Sequence, residues 1–367
     1  MDNRFAPLLR PELADLAAYV PHAPSVGGPG IRVRLDANEA PPHTSPAIAE
    51  AVARAVARTA LERYPDARML ELKARIADRT GARADDLIIG TGSDEVISLV
   101  ATALANPRGK APQAVVLTTT PTFVMYRVTA RAHGLKPMEV PLDAAWDLDV
   151  AAMKRAMEFA RPNIVYVATP NNPTGNRVSD ARLRELIEAA HDAFVVIDEA
   201  YIDYCGGSLR GWRAEYPNVG ILRTLSKVGL AALRVGWLEA DEALVREIDK
   251  VRQPFNVSAT SQAAAAAVLA DAWSEVEAHV TRVIGERERV TKEIATIAGS
   301  TVTPSAANFV WVKTVRPAGE LHAELAKRGV LVRSFHTMGA RMANQLRIGI
   351  GTPGENDALL EALRSCA

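Results

Sequence analysis

The sequence predicts an α/β fold in two parts, a large domain on a mostly parallel sheet covered on both faces and a smaller α/β domain after it. Three observations predict it. The chain has 367 residues, more than one hydrophobic core usually holds. From Leu87 to Leu238, short and fully apolar runs alternate with helix-period segments, the pattern of strands buried on both faces by crossover helices. Beyond about residue 255 the pattern changes to a long proline-free helical stretch and then to new strand candidates.

The first part, residues 1–45, carries Pro21, Pro24, Gly27, Gly28, Pro29, Gly30, Pro41 and Pro42, so it reads as an arm and not as a long helix. It is expected to join the small domain. Helices are expected from Ser45 to Ala60 and from Met69 to Thr80, the second closed by Gly81. Apolar strand candidates follow at Leu87–Ile89, Ala114–Leu117, Ile164–Val167, Phe194–Ile197, Gly220–Leu222 and Val235–Leu238. The clearest helix among them runs from Ser179, read as its N-cap, to His191, with Leu183, Leu186 and Ile187 on one face. These segments define a large domain over residues 46–255. Residues 256–367 form the small domain, with helix from Thr260 to Ala298 and strands at Phe309–Val312, Val330–Val332 and Gln345–Ile350.

Composition narrows the function. Lys+Arg and Asp+Glu are both 43, and this balance argues against nucleic acid or an anionic membrane as partner. The two cysteines, Cys205 and Cys366, form no disulfide framework and suit a reducing compartment. The N-terminus has no apolar leader, and the alanine run Ala263 to Ala267 is too short to span a bilayer. A cytoplasmic protein is expected. The seven histidines show no metal-ligand spacing, so no metal site is expected.

Five segments carry chemistry. The strand Leu87–Ile89 runs through Gly90-Thr91-Gly92 into a helix starting near Ser93-Asp94-Glu95, where free backbone N–H groups attract an anion. By itself this also reads as a plain turn capped by Ser93. Thr169-Pro170-Asn171-Asn172-Pro173-Thr174-Gly175 places an Asn amide at a strand's C-terminal edge, where open α/β sheets gather ligands. Phe194-Val195-Val196-Ile197 runs into Asp198-Glu199. A carboxylate buried there needs a cation, a metal or a protonated nitrogen, unless it only caps the next helix. In Thr224-Leu225-Ser226-Lys227, the lysine follows an apolar strand. Its amine is nucleophilic only when unprotonated, which burial or a cationic neighbour such as Arg234 favours. Alone, it reads better as a surface lysine before a turn. Arg347, inside the apolar strand Leu346 to Ile350, wants a carboxylate or phosphate for its fork, and Arg333 lies in the neighbouring strand candidate.

Together and in this order, the five segments resemble the fold type I, class II aminotransferases that use pyridoxal 5'-phosphate (PLP). The resemblance covers nearly the whole chain. It implies a seven-stranded, mostly parallel sheet in the large domain and a cofactor with a phosphate, a pyridine nitrogen, a ring hydroxyl and an aldehyde. On it, Lys227 would link to the aldehyde and shuttle the proton, and Asp198 would pair with the ring nitrogen. Tyr201 and Asn172 would bind the ring hydroxyl, and Phe123 would stack on the ring. The phosphate would lie at Ser93, Asp94 and Glu95, held by Arg234 and by Thr224 or Ser226. The catalytic set is thus Lys227, Asp198 and Tyr201.

Leu35-Asp36-Ala37-Asn38-Glu39, Arg63-Tyr64-Pro65-Asp66, the Thr-Leu-Ser-Lys box and Leu346-Arg347-Ile348-Gly349 are most similar to the histidinol-phosphate aminotransferase family. That family exchanges an amino group between glutamate, with 2-oxoglutarate as its product, and the phosphorylated keto compound imidazole-acetol phosphate. The resemblance implies a homodimer in which Tyr64 reaches the partner's cofactor phosphate. It also implies a substrate site of Arg347, Arg333, Asn172 and, on a substrate-covering arm, Tyr19. Where many members read Asn-Glu-Asn-Pro, this chain has Asn38-Glu39-Ala40-Pro41. An aromatic aminotransferase and a PLP decarboxylase of a phosphorylated amino acid share these motifs. A PLP-sensing transcription regulator would need a separate DNA-binding module, for which there is no spare length, and a dead α/β scaffold would lack residues that are present here.

Overall fold

The computed structural model describes residues 8–10, 16, 30–109 and 111–366. Its first elements are β1 (Val33–Arg34), α1 (Pro46–Ala57) and α2 (Leu70–Thr80). Ser45 caps α1, its Oγ accepting the Ala47 N–H at 3.3 Å with Pro46 in the first turn, where a missing N–H costs nothing. Gly81 ends α2 at φ +75°.

The alternating stretch then supplies β2 (Leu87–Thr91), α3 (Gly92–Ala103), β3 (Val115–Thr120), α4 (Met125–Ala132), β4 (Lys136–Pro141), α5 (Val150–Ala160), β5 (Ile164–Ala168) and α6 (Asp180–Ala189). It continues with β6 (Phe194–Asp198), β7 (Val219–Thr224), β8 (Val235–Glu239) and α7 (Glu242–Asp249). These strands make one seven-stranded sheet in the order β2-β8-β7-β6-β5-β3-β4, in which β8 alone runs antiparallel to its neighbours. The sheet is the mostly parallel one implied by the resemblance. Its central strands β5 and β6 are buried along their whole length, because α3, α4 and α7 pack one face while α5 and α6 pack the other.

The seventh strand, β4, does not stand among the apolar runs. It is an edge strand, Lys-Pro-Met-Glu-Val-Pro, with only Val140 buried. An edge tolerates prolines and charge, so apolar runs do not mark it. Ser179 is in the N-cap position of α6, but its hydroxyl donates to Asp147 Oδ2 at 2.5 Å and does not close the helix end.

The last part comprises α8 (Ala259–Asp271), α9 (Trp273–Ala295), β9 (Thr301–Thr303), β10 (Phe309–Lys313), α10 (Ala318–Lys327), β11 (Val330–Leu331), β12 (Arg333–Ser334), β13 (Gln345–Gly349) and α11 (Pro353–Cys366). The helical region expected from Thr260 to Ala298 consists of two helices, divided at buried Ala272. Neither proline nor glycine marks the break; the two halves pack on different partners, α8 on α1 and α2, α9 on α11 and β9. The expected strand Val330–Val332 is realised as β11, and Arg333, which follows it, begins a separate strand. β11 pairs in parallel with β1, while β12 joins the antiparallel sheet β12-β13-β10-β9. The stretch before α1 thus pairs with the C-terminal third. Among the described residues no helix is long and apolar enough to cross a membrane.

Candidate active site

Parallel strands deliver their C-terminal ends to one edge of a sheet, and there a cavity of about 220 Å³ opens. Its walls include Ser93 and Asp94 after β2, Phe123 after β3, Asn172 after β5, Asp198 and Tyr201 from β6 onward, and Thr224, Ser226 and Lys227 after β7. Arg234 enters from the start of β8.

Asp198 ends β6 and is 5 % exposed. Its Oδ1 accepts the Ala200 N–H at 2.9 Å and its Oδ2 the Tyr126 hydroxyl at 2.5 Å. Burial holds its carboxyl above the usual carboxylate range, with these hydrogen bonds and the charge of Lys227 working the other way. Both its direct partners are neutral, so an anion here calls for a cation in the cavity. The neighbouring Glu199 is turned away. It accepts from Ser208 Oγ and the Leu209 N–H, both at 2.6 Å, at the start of the short helix Leu209–Ala214.

Lys227 is partly buried, its Nζ 5.7 Å from the centre of the Tyr201 ring. Its main chain is anchored by Tyr204, whose hydroxyl donates to the Lys227 carbonyl at 2.6 Å. Tyr201 is 4 % exposed, and its hydroxyl accepts from Asn38 Nδ2 at 3.0 Å, which leaves its own proton to donate. Asn38 is held in the left-handed region at φ 55°, a conformation Asn tolerates better than most residues.

The start of α3 faces the cavity with no side-chain cap. It can come so close to the sheet because β8 carries Gly236. A Cβ on Gly236 would lie 2.3 Å from the Ser93 nitrogen. Arg234, itself at φ 54°, lies along Gly92 and 3.7 Å from Asp94. Thr224 Oγ1 accepts the Ser226 N–H at 3.1 Å. An uncapped helix start, a guanidinium and two hydroxyls suit a phosphate. With a lysine amine, a buried carboxylate and the aromatic ring of Phe123, they match the parts of PLP.

Glu95 departs from its expected place. Its side chain turns back onto β2, accepting the Thr91 N–H and, at 2.9 Å, Asn256 Nδ2, so of this residue only the main chain remains at the helix start. Of the two asparagines after β5, Asn171 braces the loop through Thr122, Pro121 and Thr174, whereas Asn172 lines the cavity. Arg347 Nη1 donates to Asn172 Oδ1 at 2.7 Å and Nη2 to the Asp36 carbonyl at 2.6 Å, leaving the Asn172 amide nitrogen as a donor. Arg333 on β12 lies directly opposite Arg347 on β13. Like charges opposed across two strands repel, and an anion between them removes the penalty.

Tyr64 does not line the cavity of its own chain. It is 83 % exposed, stacks on Phe255 at 4.8 Å, and borders a separate groove between α1 and α8. Tyr19 lies outside the described residues. Sequence reasoning passed over Tyr126, which sits one turn beyond Phe123 and carries no motif of its own, and gave Asn38 no role. Among the described residues no group of three or more His, Cys, Asp or Glu is placed to share a metal ion.

The aminotransferase class I and II family pattern matches residues 31–363. The chain is 39 % identical to histidinol-phosphate aminotransferase 1 of Burkholderia lata, over 90 % of this chain and 91 % of that protein. It is 38 % identical to histidinol-phosphate aminotransferase of Aquifex aeolicus, over 90 % and 91 %. The crystal structure of histidinol-phosphate aminotransferase from Sinorhizobium meliloti in complex with pyridoxal-5'-phosphate superposes with a TM-score of 0.85, at 26 % identity over 98 % of each chain.

Proposed function

Because this chain belongs to the aminotransferase class I and II family, we propose that it exchanges amino groups between glutamate and imidazole-acetol phosphate, as a histidinol-phosphate aminotransferase. Its cofactor is pyridoxal 5'-phosphate. The observation that carries the choice of a phosphorylated substrate is the cross-strand opposition of Arg333 and Arg347. One carboxylate needs one arginine fork; a second arginine suits a dianionic phosphate in one half-reaction and the distal carboxylate of glutamate in the other.

When bound, the cofactor supplies an aldehyde to receive the amino group and a ring that withdraws electrons from the substrate's α-carbon. The protein does the rest. Lys227 Nζ takes the proton from the α-carbon and gives it up later in the turnover. Asp198 holds a proton on the ring nitrogen. Tyr201 and Asn172 would donate to the ring hydroxyl, and Phe123 would pack against the ring. Ser93, Asp94 and Glu95 through their main chain, Arg234, and Thr224 or Ser226 would hold the phosphate. The same reading includes a homodimer, with Tyr64 reaching the partner's cofactor phosphate, and a reducing, cytoplasmic setting that the unpaired Cys205 and Cys366 suit. The division into an arm over 1–45, a PLP-binding domain over 46–255 and a small domain over 256–367 belongs to it too, with the site between them.

The Arg347 guanidinium lies 5.7 Å from the ring of Phe309 and 6.0 Å from that of Phe335, so aromatic substrates are the second reading. The test is the absorbance of the PLP-loaded protein. Glutamate should bleach the cofactor band and imidazole-acetol phosphate restore it. Restoration by aromatic keto acids alone would move the assignment to an aromatic aminotransferase, and carbon dioxide release to a decarboxylase.

A further inference from the structure

Asp198 carries the demand for a cation in the site, yet the five motifs account for only one of its oxygens, Oδ1, which accepts the Ala200 N–H. Its Oδ2 accepts from the hydroxyl of Tyr126 on α4 at 2.5 Å. Tyr126 is 1 % exposed. Its ring lies flat on Tyr166, centroids 4.5 Å apart at 4°, and meets the edge of Phe123 at 5.5 Å and 86°. A ring clamped on two sides has one rotamer available, so its hydroxyl has one place to point. Tyr126 also lies one helical turn from Phe123. A single chain segment therefore presents a ring to the cavity and a donor to Asp198.

We infer that Tyr126 is a positioning residue, which acts through Asp198 to hold its carboxylate in one orientation toward the cationic ring nitrogen of the cofactor. This rests on the proposed use of PLP. The electrostatics agree with the geometry. Burial and the charge of Asp198 hold the Tyr126 hydroxyl well above its usual range, so it stays protonated and remains a donor. The same hydrogen bond opposes the burial that pushes the Asp198 carboxyl up, and so favours its charged form. A tyrosine that only filled the core would serve equally well as phenylalanine.

The experiment is a cycle of four proteins, wild type, Tyr126→Phe, Asp198→Asn and the double variant, each titrated with PLP to obtain an affinity. A hydrogen bond to a charged group predicts a loss of about tenfold for Tyr126→Phe when Asp198 is present. With Asn at position 198 the same change should alter affinity by less than about twofold. An equal loss in both backgrounds would make Tyr126 a packing residue and overturn the inference. So would unchanged affinity in Tyr126→Phe while Asp198→Asn is weakened. A wild-type protein that binds no PLP overturns the proposed function itself, a different result from either. If Tyr126→Phe does not fold, Tyr126→His serves in its place. It keeps a ring N–H donor with shorter reach, and weakened binding confined to the Asp198 background is again the supporting result.

Discussion

Arg347 and Arg333 face each other across β13 and β12, and their side chains leave the sheet on the same side. Arg347 is already engaged by Asn172 and by the Asp36 carbonyl, which fixes its fork in place. The two arginines should therefore differ on substitution. Arg347→Ala removes a preset fork and the brace on Asn172, and should weaken glutamate and the phosphorylated acceptor alike, by about 10- to 100-fold in kcat/KM. Arg333→Ala should weaken the phosphorylated acceptor more than glutamate. Steady-state kinetics with each substrate varied in turn checks this, and equal losses from Arg333→Ala would end the division of labour. At this scale the sequence was informative where residue type and position coincide: a lysine after an apolar strand, a carboxylate at a strand end, an arginine inside a strand. It was silent about Tyr126, because a tyrosine on the buried face of a helix looks like any core aromatic until its hydroxyl is seen at Asp198.

The closeness of α3 to β8 depends on Gly236. A side chain there would collide with the main chain of Ser93, which has no rotamer to escape into. Gly236→Val should lift the helix start from the sheet, cost on the order of 2 kcal/mol in denaturant unfolding, and weaken PLP binding as well. Unchanged PLP affinity would show that the helix start does not hold the phosphate. A second device at this scale joins the stretch before α1 to α9. The rings of His43 and His279 lie 4.2 Å apart, tilted by 47°. Burial, His43 and Arg282 together push His279 down to about 4. The unfolded chain takes up this proton from about pH 6.5 downward and the folded one does not, so the contribution is complete above that pH and lost as pH falls toward 4. Its full size is on the order of 3 kcal/mol. Glu199, raised by burial, acts with the opposite sign in an overlapping window. The readout is therefore the difference between wild type and His279→Leu, whose stability should fall less between pH 6.5 and 4.5. Parallel curves would remove His279 from the acid sensitivity. The break at Ala272 and the edge strand β4 were beyond sequence reasoning for one reason: each is decided by what the segment packs against, and its own residues carry no punctuation.

For the molecule as a whole, the exposed Tyr64 is the open question, since it borders a groove of about 630 Å³ and not the cavity of its own chain. If Tyr64 serves the partner's site, two crippled chains can make one whole site. Lys227→Ala should have almost no turnover, and Tyr64→Ala should be weakened in PLP binding. Adding excess Lys227→Ala protein to Tyr64→Ala protein, with time to exchange subunits, should raise the activity per Tyr64→Ala chain. No gain after confirmed exchange would place Tyr64 outside the partner's site. By itself, the sequence determined the α/β class, the large mostly parallel sheet and the cofactor chemistry. Buried strands must be apolar along their length, and the residues that PLP needs fall at strand ends in a fixed order. Only the tertiary structure decided which carboxylate of Asp198-Glu199 faces the cavity, where Glu95 turns, that Asn38 and Tyr126 stand behind Tyr201 and Asp198, and that Arg333 meets Arg347 on separate short strands. Most of those outcomes depend on hydrogen-bond partners 72 to 163 positions away along the chain or on cross-strand register, and local periodicity carries no information about either.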